Sequence, residues 1–535
     1  MTDKNKSVKI LWGWIMLLVL GNILWLILDK NPPAWDQAAH LKSVILTKQW
    51  ILESFFIFAK ASADKGGNFV DLIKSFGGYP PLIYWIGGFW SLIVGVGVGQ
   101  ITFINTFFLV GAIIGVYKLS GNKVLPAILF SLFPVIGDIS RNMLLDLPLL
   151  VWVVWGLYFW FRSEELKNNK FSLGLLVALV LASLTKLNGF LYFVPMVLIL
   201  LVKNYRSKKF WVKIVIGGAI YSIFVGWWWV INRQNIYSYL IGLAGSGEKL
   251  TDPMNLGEWQ TWFHYFKLFF LHQAGPIVAI LFLFFGKKEN KKLIWWTILT
   301  YVIFTIIKNK DFRFIMPLLV PVAAWLGQGL NPLRLSPVSP LTGGLRKALL
   351  LGLLAWMGLN YVENAYNWPL KKPVVLSTPT FLMGDINWIN FSDYPVREYR
   401  TVIWPQKEII SDLERVGKDR NKKLRILVLI NKEEINDNNL SMYKELYGSG
   451  AFEPGSVGVR DKFNNETEII NLLAEFDGVL VAERAQEPAP FYGVNLEAYK
   501  QARDWVLEHG EGFDLVNTYR IFRDKKLFLL VKKTE

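Results

Sequence analysis

The first residues of this chain that could carry out chemistry are acidic, and they lie beside apolar segments. Asp36 follows Trp35 shortly after the first apolar run, and His40 comes one helical turn later. Asp146 stands directly before another apolar run. A positioned carboxylate can accept a proton from an attacking group or orient that group. Asp is also a common residue at helix starts, so the spacing leaves a catalytic and a capping interpretation open.

Cations accompany both aspartates. Arg141 lies five residues before Asp146, and further cations follow later in the chain at Lys186, Lys308, Lys310 and Arg313. Arg and Lys side chains bind phosphate through paired hydrogen bonds or point-charge contacts. The alternatives are a plain salt bridge between Arg141 and Asp146, or long side chains that reach lipid headgroups. Taken together, the set favours an anionic ligand.

Metal and nucleotide sites have less support in the sequence. The chain has no Cys, and none of its four His residues forms a pair at the spacing of metal ligands. Asp36 and Asp146 could hold a divalent ion, but two carboxylates do not establish one. There is no Walker loop. The absence of Cys also excludes disulfides.

The composition indicates a polytopic membrane protein with a soluble appendage. Of the 535 residues 53% are hydrophobic and 19% charged, below the roughly 25% charged residues usual in soluble proteins. Apolar runs long enough to cross a bilayer recur between residues 9 and 362, whereas 370–535 contains none. We therefore expect a membrane domain at 1–365 and a soluble domain at 366–535. The net charge of +16 lies largely in short loops, so membrane orientation and anionic lipids explain it better than nucleic acid.

The positive loops predict the orientation of about eleven spans. Basic stretches such as 203–209 and 286–292 fall in the cytoplasm if the N-terminus is inside. Segment 81–98 is apolar enough to cross, but a crossing there would place every later basic loop outside, so we interpret it as interfacial or re-entrant. The first loop, 29–100, then lies outside with two predicted surface helices, Trp50–Ala63 and Asn68–Phe76. The candidate spans are 10–28, 101–117, 124–137, 147–161, 171–185, 189–202, 212–231, 266–285, 293–307, 313–329 and 347–362.

The C-terminal part alternates predicted strands with predicted helices, which indicates an α/β fold. The strands are predicted at 424–430, 478–482, 513–516, 519–522 and 527–531, and the helices at 440–447 and 496–508. The same loop parity places this domain outside the cytoplasm. No catalytic set is visible in it, and we favour acceptor binding, glycan binding or a structural lid.

Several of these residues together resemble a known family. They are Trp35-Asp36, Tyr79-Pro80-Pro81-Leu82-Ile83-Tyr84-Trp85, Arg141 with Asp146, Lys186, and Arg313-Phe314 with Pro317. In order and on one side, over roughly residues 10–330, this pattern resembles the protein O-mannosyltransferase and lipid A aminoarabinose transferase family of GT-C membrane glycosyltransferases. The resemblance implies a polyprenyl-phosphate sugar donor, transfer with inversion, and a protein, lipid or glycan acceptor outside the cytoplasm.

The resemblance also implies roles for residues. Asp36 matches the acidic residue of the first loop that acts as base or orients the acceptor, and Asp146 is the second predicted catalytic residue. Gln37 stands where the family often has a second acid, which weakens both a metal site there and an assignment to the protein mannosyltransferase branch. The predicted substrate-binding residues are His40, Tyr84, Arg141, Lys186, Lys310 and Arg313.

Two other functions stay open at this point. A transporter or flippase of lipid-linked sugars should show internal repeats and helices broken near the membrane midplane, and the sequence shows no repeat. A membrane sensor with an external ligand domain would not need the cations at Arg141, Lys186 and Arg313. We therefore favour the transferase, in a multi-pass protein of a bacterial plasma membrane.

Overall fold

The computed structural model describes residues 3–60, 69–238, 255–286, 290–330, 340–366, 368–370, 374–377, 385–389, 404–458, 462–483, 496–521 and 525–533. Up to residue 366 the described chain is helical. The helices are α1 Asp3–Leu28, α2 Trp35–Lys60, α3 Phe69–Ser75, α4 Leu82–Val94, α5 Val98–Thr102, α6 Ile104–Leu119, α7 Val124–Ser131, α8 Pro134–Ile139, α9 Asp146–Arg162, α10 Asn169–Thr185, α11 Val194–Asn204, α12 Lys208–Ile231, α13 Trp259–Leu268, α14 Pro276–Phe285, α15 Lys291–Ile306, α16 Leu319–Gly329 and α17 Pro340–Tyr366. Tighter 3-10 turns span Leu187–Tyr192 and Phe312–Leu318, and a π turn spans Phe269–Gln273.

Five stretches within the described residues are long and apolar enough to cross a membrane. They are Asn5–Leu28, Val98–Leu119, Leu187–Asn204, Lys208–Ile231 and Phe312–Gly329, and a sixth results if the bent pair Trp259–Leu271 and Pro276–Phe285 is one span. Other predicted spans correspond to shorter helices such as α9 and α10. The span count of about eleven therefore stays a prediction.

The predicted span 124–137 is not continuous. The apolar run 124–137 forms two helices, α7 and α8, which are separated at Leu132 and Phe133. Pro134 occupies the first turn of α8, where its missing N–H costs nothing and its ring would obstruct a helix arriving from before it. The hydrophobic pattern alone does not show this break.

The first predicted surface helix begins earlier than expected. It was predicted at Trp50–Ala63, but α2 runs without a break from Trp35 to Lys60, and residues 61–63 lie outside the described residues. Helix α3 matches the predicted surface helix 68–76 closely. Helix α4 has 13 residues, about 20 Å at the helical rise, so it is shorter than a hydrocarbon core of about 30 Å. That length agrees with the interpretation of 81–98 as a segment that does not cross.

Two glycines of α4 permit its close contact with α2. A Cβ atom at Gly87 would lie 2.7 Å from Val44 Cγ2, and one at Gly88 would lie 2.9 Å from Thr47 Cγ2. Neither glycine is needed for a bend, because α4 continues through both. Gly95 ends the helix with φ of +94°, a conformation that favours glycine.

The predicted α/β region is present in the C-terminal part. Its elements are β1 Val374–Ser377, β2 Asp385–Ile389, α18 Gln406–Asp419, β3 Leu424–Leu429, α19 Asp437–Tyr447, β4 Phe452–Gly455, α20 Glu466–Ala474, β5 Gly478–Ala482, α21 Leu496–Glu508, β6 Phe513–Ile521 and β7 Lys525–Lys532. One sheet has the order β4-β3-β5-β7-β6. Strand β3 is parallel to β4 and β5, and β7 is antiparallel to β5 and β6.

Helices cover both faces of this sheet. Ile426 and Val428 of β3 belong to one apolar cluster with α18 and α19, whereas Leu427 and Leu429 belong to another with α20 and α21. A strand buried on both faces reads as a continuous apolar run, which is the pattern that 424–430 shows. Met442 of α19 is fully buried in a further apolar cluster that includes residues of α2. The α/β region therefore lies on the same side of the helical part as the start of α2.

Candidate active site

Arg313 is the centre of an ion-pair cluster. Its Nε and Nη2 atoms donate to the Asp311 carboxylate at 2.6–3.1 Å. Nη2 also donates to Asp36 Oδ2 at 3.2 Å, and Nη1 lies 3.7 Å from Asp146 Oδ2. Lys186 Nζ donates to the other oxygen of Asp146 at 2.7 Å. Four predicted site residues, Asp36, Asp146, Lys186 and Arg313, are thus brought together, and Asp311 joins them.

Helix ends supply most of these groups. Asp36 lies in the first turn of α2, Asp146 is the first residue of α9, and Lys186 follows the last residue of α10. Aspartate at a helix N-terminus and lysine at a C-terminus are both favoured by the helix dipole. Asp311 caps the turn that carries Arg313 by accepting from its backbone N–H at 2.9 Å. The capping interpretation and the site interpretation are therefore compatible, since these residues lie at helix ends that converge.

The members of the cluster differ in exposure. The Asp146 side chain is 4% exposed, the Lys186 and Arg313 side chains 13% and 12%, and the Asp36 side chain 42%. Burial opposes ionisation of Asp311, but the charge and hydrogen bonds of Arg313 prevail and lower the pKa of this carboxyl to about 2. Asp311 and Asp146 are thus held by cations inside the cluster. Asp36 is the carboxylate that solvent and a second substrate can reach.

A neutral histidine lies beside the cluster. His40 Nδ1 is 2.9 Å from Tyr84 Oη, and the Tyr79 ring meets the imidazole edge-on at 4.9 Å between centroids. Burial lowers the pKa of His40 to about 4, against the opposing charge of Asp36. At neutral pH this side chain is therefore an uncharged hydrogen-bonding group. The predicted substrate-binding residues His40 and Tyr84 form one buried pair next to Asp36.

Arg141 lies apart from the carboxylates. Its guanidinium is buried over the rings of Trp25 and Tyr361, at 5.6 Å and 5.3 Å from their centroids. Within the described residues it forms no ion pair, and the alternative of a salt bridge with Asp146 is wrong because Lys186 and Arg313 occupy that carboxylate. Two aromatic faces stabilise a cation without neutralising it. The charge of Arg141 is therefore available to an anionic ligand.

Lys310 is engaged with backbone. Its buried ammonium donates to the carbonyls of Thr305 and Ile307, and it lies 5.7 Å from the centroid of the Tyr265 ring. These carbonyls belong to the end of α15, where acceptors lack helical partners. Its role in substrate binding stays a prediction.

Sequence reasoning missed two parts of the site. The first part is Asp311, whose contact with Arg313 could have been expected from the local sequence. An Asp two residues before an Arg can both cap the turn and bind the guanidinium. The second part is Asn431, whose Oδ1 accepts a hydrogen bond from Trp35 Nε1 at 2.6 Å. The two residues are 396 positions apart in the chain, and this contact had no signal in a single sequence.

The described residues contain no group of three or more His, Asp and Glu side chains arranged to hold a metal ion. The three aspartates of the site instead meet around the guanidinium of Arg313. In this arrangement a cationic side chain occupies the centre of the carboxylates.

Comparison with known proteins finds a family model that matches part of the chain. The family model for dolichyl-phosphate-mannose-protein mannosyltransferase matches residues 79–229, a stretch that includes Tyr84, Arg141, Asp146 and Lys186. The chain resembles the GT-C membrane glycosyltransferases. The resemblance predicted from its motifs is thus confirmed, and glycosyltransferase activity at a membrane is the class of function it supports.

A solved structure shares the fold. The apo structure of ArnT from Cupriavidus metallidurans matches with a TM-score of 0.50 and 12% identity, over 97% of this chain and 98% of that chain. The structure of the same protein bound to undecaprenyl phosphate gives a TM-score of 0.49 at 12% identity, with the same coverage. The arabinofuranosyltransferase AftD from mycobacteria gives 0.49 at 11% identity, over 98% of this chain and 40% of that one. No curated protein sequence matches the chain.

Proposed function

We propose that this protein transfers a sugar from a polyprenyl-phosphate donor to an acceptor on the extracytoplasmic side of a bacterial plasma membrane, with inversion at the sugar carbon. The observation that carries the proposal is the position of Arg313, which joins the exposed Asp36 to two carboxylates held inside the protein. Arg313 contacts carboxylates that are firmly held and one, Asp36, that solvent can reach. An anionic ligand can therefore replace Asp36 on Arg313.

The donor phosphate would take the place of Asp36 on Arg313. The contact with Asp36 is a single 3.2 Å hydrogen bond to a half-exposed carboxylate, whereas Asp311 receives three hydrogen bonds from the same guanidinium. Phosphate therefore competes most easily for the Asp36 position. Lys186, fixed by Asp146 at 2.7 Å, adds a second positive charge beside it.

This exchange would also release the base. Once Arg313 bonds to phosphate, Asp36 is free to accept the proton of an acceptor hydroxyl or amine. The acceptor then attacks the sugar carbon on the face opposite the phosphate, and the bond from that carbon to the phosphate oxygen breaks. The phosphate leaves with the electron pair, neutralised by Lys186 and Arg313, and Asp36 holds the proton. One displacement of this kind inverts the sugar carbon.

The choice of donor class rests on chemistry and on the family model. The description of the matching family names a dolichyl-phosphate sugar. The cations at Lys186, Arg313 and Arg141 suit a phosphate at the membrane edge. The outer location of the site rests on the positive loops, and the division at residues 365 and 366 rests on where the apolar runs end. A protein, lipid or glycan acceptor is compatible with a half-exposed Asp36.

The test is to incubate the purified protein in liposomes with radiolabelled polyprenyl-phosphate sugars and envelope extracts. We expect label to leave the lipid and appear in an acceptor, and we expect Asp36→Asn to abolish this loss. Asp71→Asn is the matched control, since Asp71 is an exposed aspartate in the first turn of a neighbouring helix, α3. A flippase would instead move the intact labelled lipid between leaflets, and that result would contradict the transferase.

A further inference from the structure

We infer that the C-terminal α/β region positions Asp36 for catalysis through a clamp on the chain that leads into α2. The inference rests on the proposed function and adds a part of the machinery to it. The clamp consists of Asn431, Asn439 and Ser441, which contact residues on both sides of Asp36.

The contacts bracket the aspartate closely. Asn431 Oδ1 accepts from Trp35 Nε1 at 2.6 Å, and Asn439 Nδ2 donates to the Pro33 carbonyl at 2.9 Å. Six residues beyond Asp36, Lys42 Nζ donates to Ser441 Oγ at 2.7 Å. The backbone that carries Asp36 is therefore fixed three residues before the aspartate, directly before it, and six residues after it.

The clamp itself is rigid. Asn436 caps α19 by accepting from the Asn439 backbone N–H at 2.8 Å, and its Nδ2 donates to the Lys432 carbonyl at 2.7 Å. Lys432 and Ile435 close the turn between them with backbone hydrogen bonds of 3.1 Å and 3.2 Å. This turn follows shortly after β3, an internal strand of a five-stranded sheet. A rigid element behind a catalytic group restricts the group to its productive geometry.

The residues of α19 that contact the start of α2 are buried, and their side chains are held in one orientation. The Asn439 side chain is fully buried, and its Oδ1 accepts from Gln406 Nε2 at 3.3 Å. This bond leaves the amide N–H groups pointing to Pro33, so the orientation of the amide is fixed from within the α/β region. Met442, also fully buried, packs in the apolar cluster that contains Leu41 and Ile45 of α2. Polar and apolar contacts of α19 thus meet the same face of α2.

A clamp is needed because Asp36 has one other fixed partner, and the proposed reaction removes it. When phosphate replaces Asp36 on Arg313, the 3.2 Å contact that holds the carboxylate is lost. A base that moves by about 1 Å can lose on the order of a hundredfold in rate. The contacts of Asn431 and Asn439 persist through that exchange because they involve Trp35 and Pro33 rather than the carboxylate.

The test compares variants of Asn431 and Trp35 in the full-length protein in liposomes. We expect Asn431→Leu to lower kcat about tenfold or more while the KM for the polyprenyl-phosphate sugar stays within twofold. Asn431→Asp keeps the acceptor oxygen and should restore most of the rate. Trp35→Phe removes the same hydrogen bond from the other side, so the double variant Trp35→Phe/Asn431→Leu should be no slower than the worse single variant. Trp90→Phe is the matched control, because its Nε1 also donates, to the Gln100 carbonyl at 2.8 Å, away from Asp36.

Hydrogen exchange provides a readout that does not depend on activity. Peptides over residues 30–40 should exchange faster in Asn431→Leu than in the wild type or in Trp90→Phe. A wild-type kcat for Asn431→Leu, equal rates for the Leu and Asp variants, or unchanged exchange at 30–40 would each overturn the clamp. If the wild-type protein removes sugar from no polyprenyl-phosphate donor, the proposed function falls, and the exchange result alone then decides whether the clamp holds this segment.

Discussion

At the scale of single residues, the three aspartates around Arg313 differ in how firmly they are held. Asp311 and Asp146 face cations inside the protein, and Asp36 is 42% exposed with one bond to Arg313. Asp36→Asn keeps the shape of the side chain and removes its charge. We expect turnover to fall by roughly two or more orders of magnitude, the usual size for a positioned base, with donor binding unchanged or tighter, because the carboxylate that competes with phosphate for Arg313 loses its charge. Initial rates and equilibrium binding of polyprenyl phosphate measure the two effects separately.

Near-wild-type turnover of Asp36→Asn would show that this aspartate serves only the start of α2. The base would then have to be sought at Asp146 or Asp138. Asp71→Asn, in the first turn of α3, should turn over at the wild-type rate in the same assay.

Arg141 gives the cleanest test of phosphate binding by a cation. Arg313→Ala would leave Asp311 without its guanidinium partner and Asp146 with Lys186 alone, and loss of a partner from a buried ion pair costs on the order of 3–5 kcal/mol of stability, which obscures any effect on binding. Arg141 contacts two rings and, within the described chain, no carboxylate. We expect Arg141→Gln to weaken binding of polyprenyl phosphate by on the order of 2–3 kcal/mol with a small change in unfolding temperature.

Arg162→Gln is the matched control for that variant. Its guanidinium also lies over a ring, that of Phe171 at 5.2 Å, but at the far end of α9 from Asp146. If both variants bind polyprenyl phosphate as the wild type does, Arg141 has only a packing role.

His40 makes stability depend on pH. Its folded-state pKa of about 4 lies below the ordinary value of 6.5, so the unfolded chain binds the proton more readily. Its contribution is complete above pH 6.5 and is lost as pH falls toward 4. Between pH 7 and pH 5 this linkage amounts to about 2 kcal/mol. We expect the unfolding temperature of the wild type in detergent to fall more over this range than that of His40→Gln; parallel falls would show that His40 titrates normally.

At this scale much of the site was predictable. Asp36, Asp146, Lys186 and Arg313 are charged residues at the ends of apolar runs, and a charge at membrane depth calls for a partner or a ligand. Their mutual distances were not predictable, because they depend on how helices distant in sequence pack. Arg141 is an example. Its closeness to Asp146 in the sequence suggested a salt bridge, but in the fold its guanidinium packs over Trp25 and Tyr361.

At the scale of elements, the contact between α2 and α4 sets the position of His40 against Tyr84. A Cβ atom at Gly87 would lie 2.7 Å from Val44 Cγ2. We expect Gly87→Ala to lower stability by about 1–3 kcal/mol, the usual cost of overpacking, and to lower it less in a Val44→Ala background, where the methyl groups in the way are gone. Unfolding temperatures in detergent of the two single variants and the double variant measure this coupling.

Gly218→Ala is the control for the glycine change. Gly218 lies within α12, and a Cβ atom there would meet nothing within 4 Å, so the substitution should be neutral or slightly stabilising. Equal losses for Gly87→Ala with and without Val44→Ala would show that the helices do not meet at this point.

The elements also show where hydrophobic patterns stop being informative. The run 424–430 predicted a strand, and β3 is a strand that is buried on both faces. Glycine lowers helix propensity, yet α4 is intact and uses Gly87 and Gly88 for contact with α2. The same residue type lowers helix propensity and permits close packing, and only the partner surface decides which effect prevails.

At the scale of the whole molecule, one packing contact links two questions of topology. Because α19 packs on the start of α2, the α/β region and Asp36 lie on the same side of the helical part. The positive loops predict that this side is outside the cytoplasm. The orientation of the protein in the membrane could be predicted from the sequence, because basic loops are recognised from local composition. The docking of α19 could not, because its contacts join residues about 400 positions apart.

Accessibility to a thiol reagent tests this orientation in the intact cell. The chain has no Cys, so a single Ile470→Cys substitution, at a side chain 46% exposed on α20, reports one location. We expect it to react with a membrane-impermeant maleimide in spheroplasts, because the α/β region should face outward. Arg206→Cys, at an exposed residue of the basic loop 203–209, should react only after lysis. The reverse pattern would place α19, Trp35 and Asp36 in the cytoplasm together, so sugar transfer would then have to use a donor and an acceptor on the inner face.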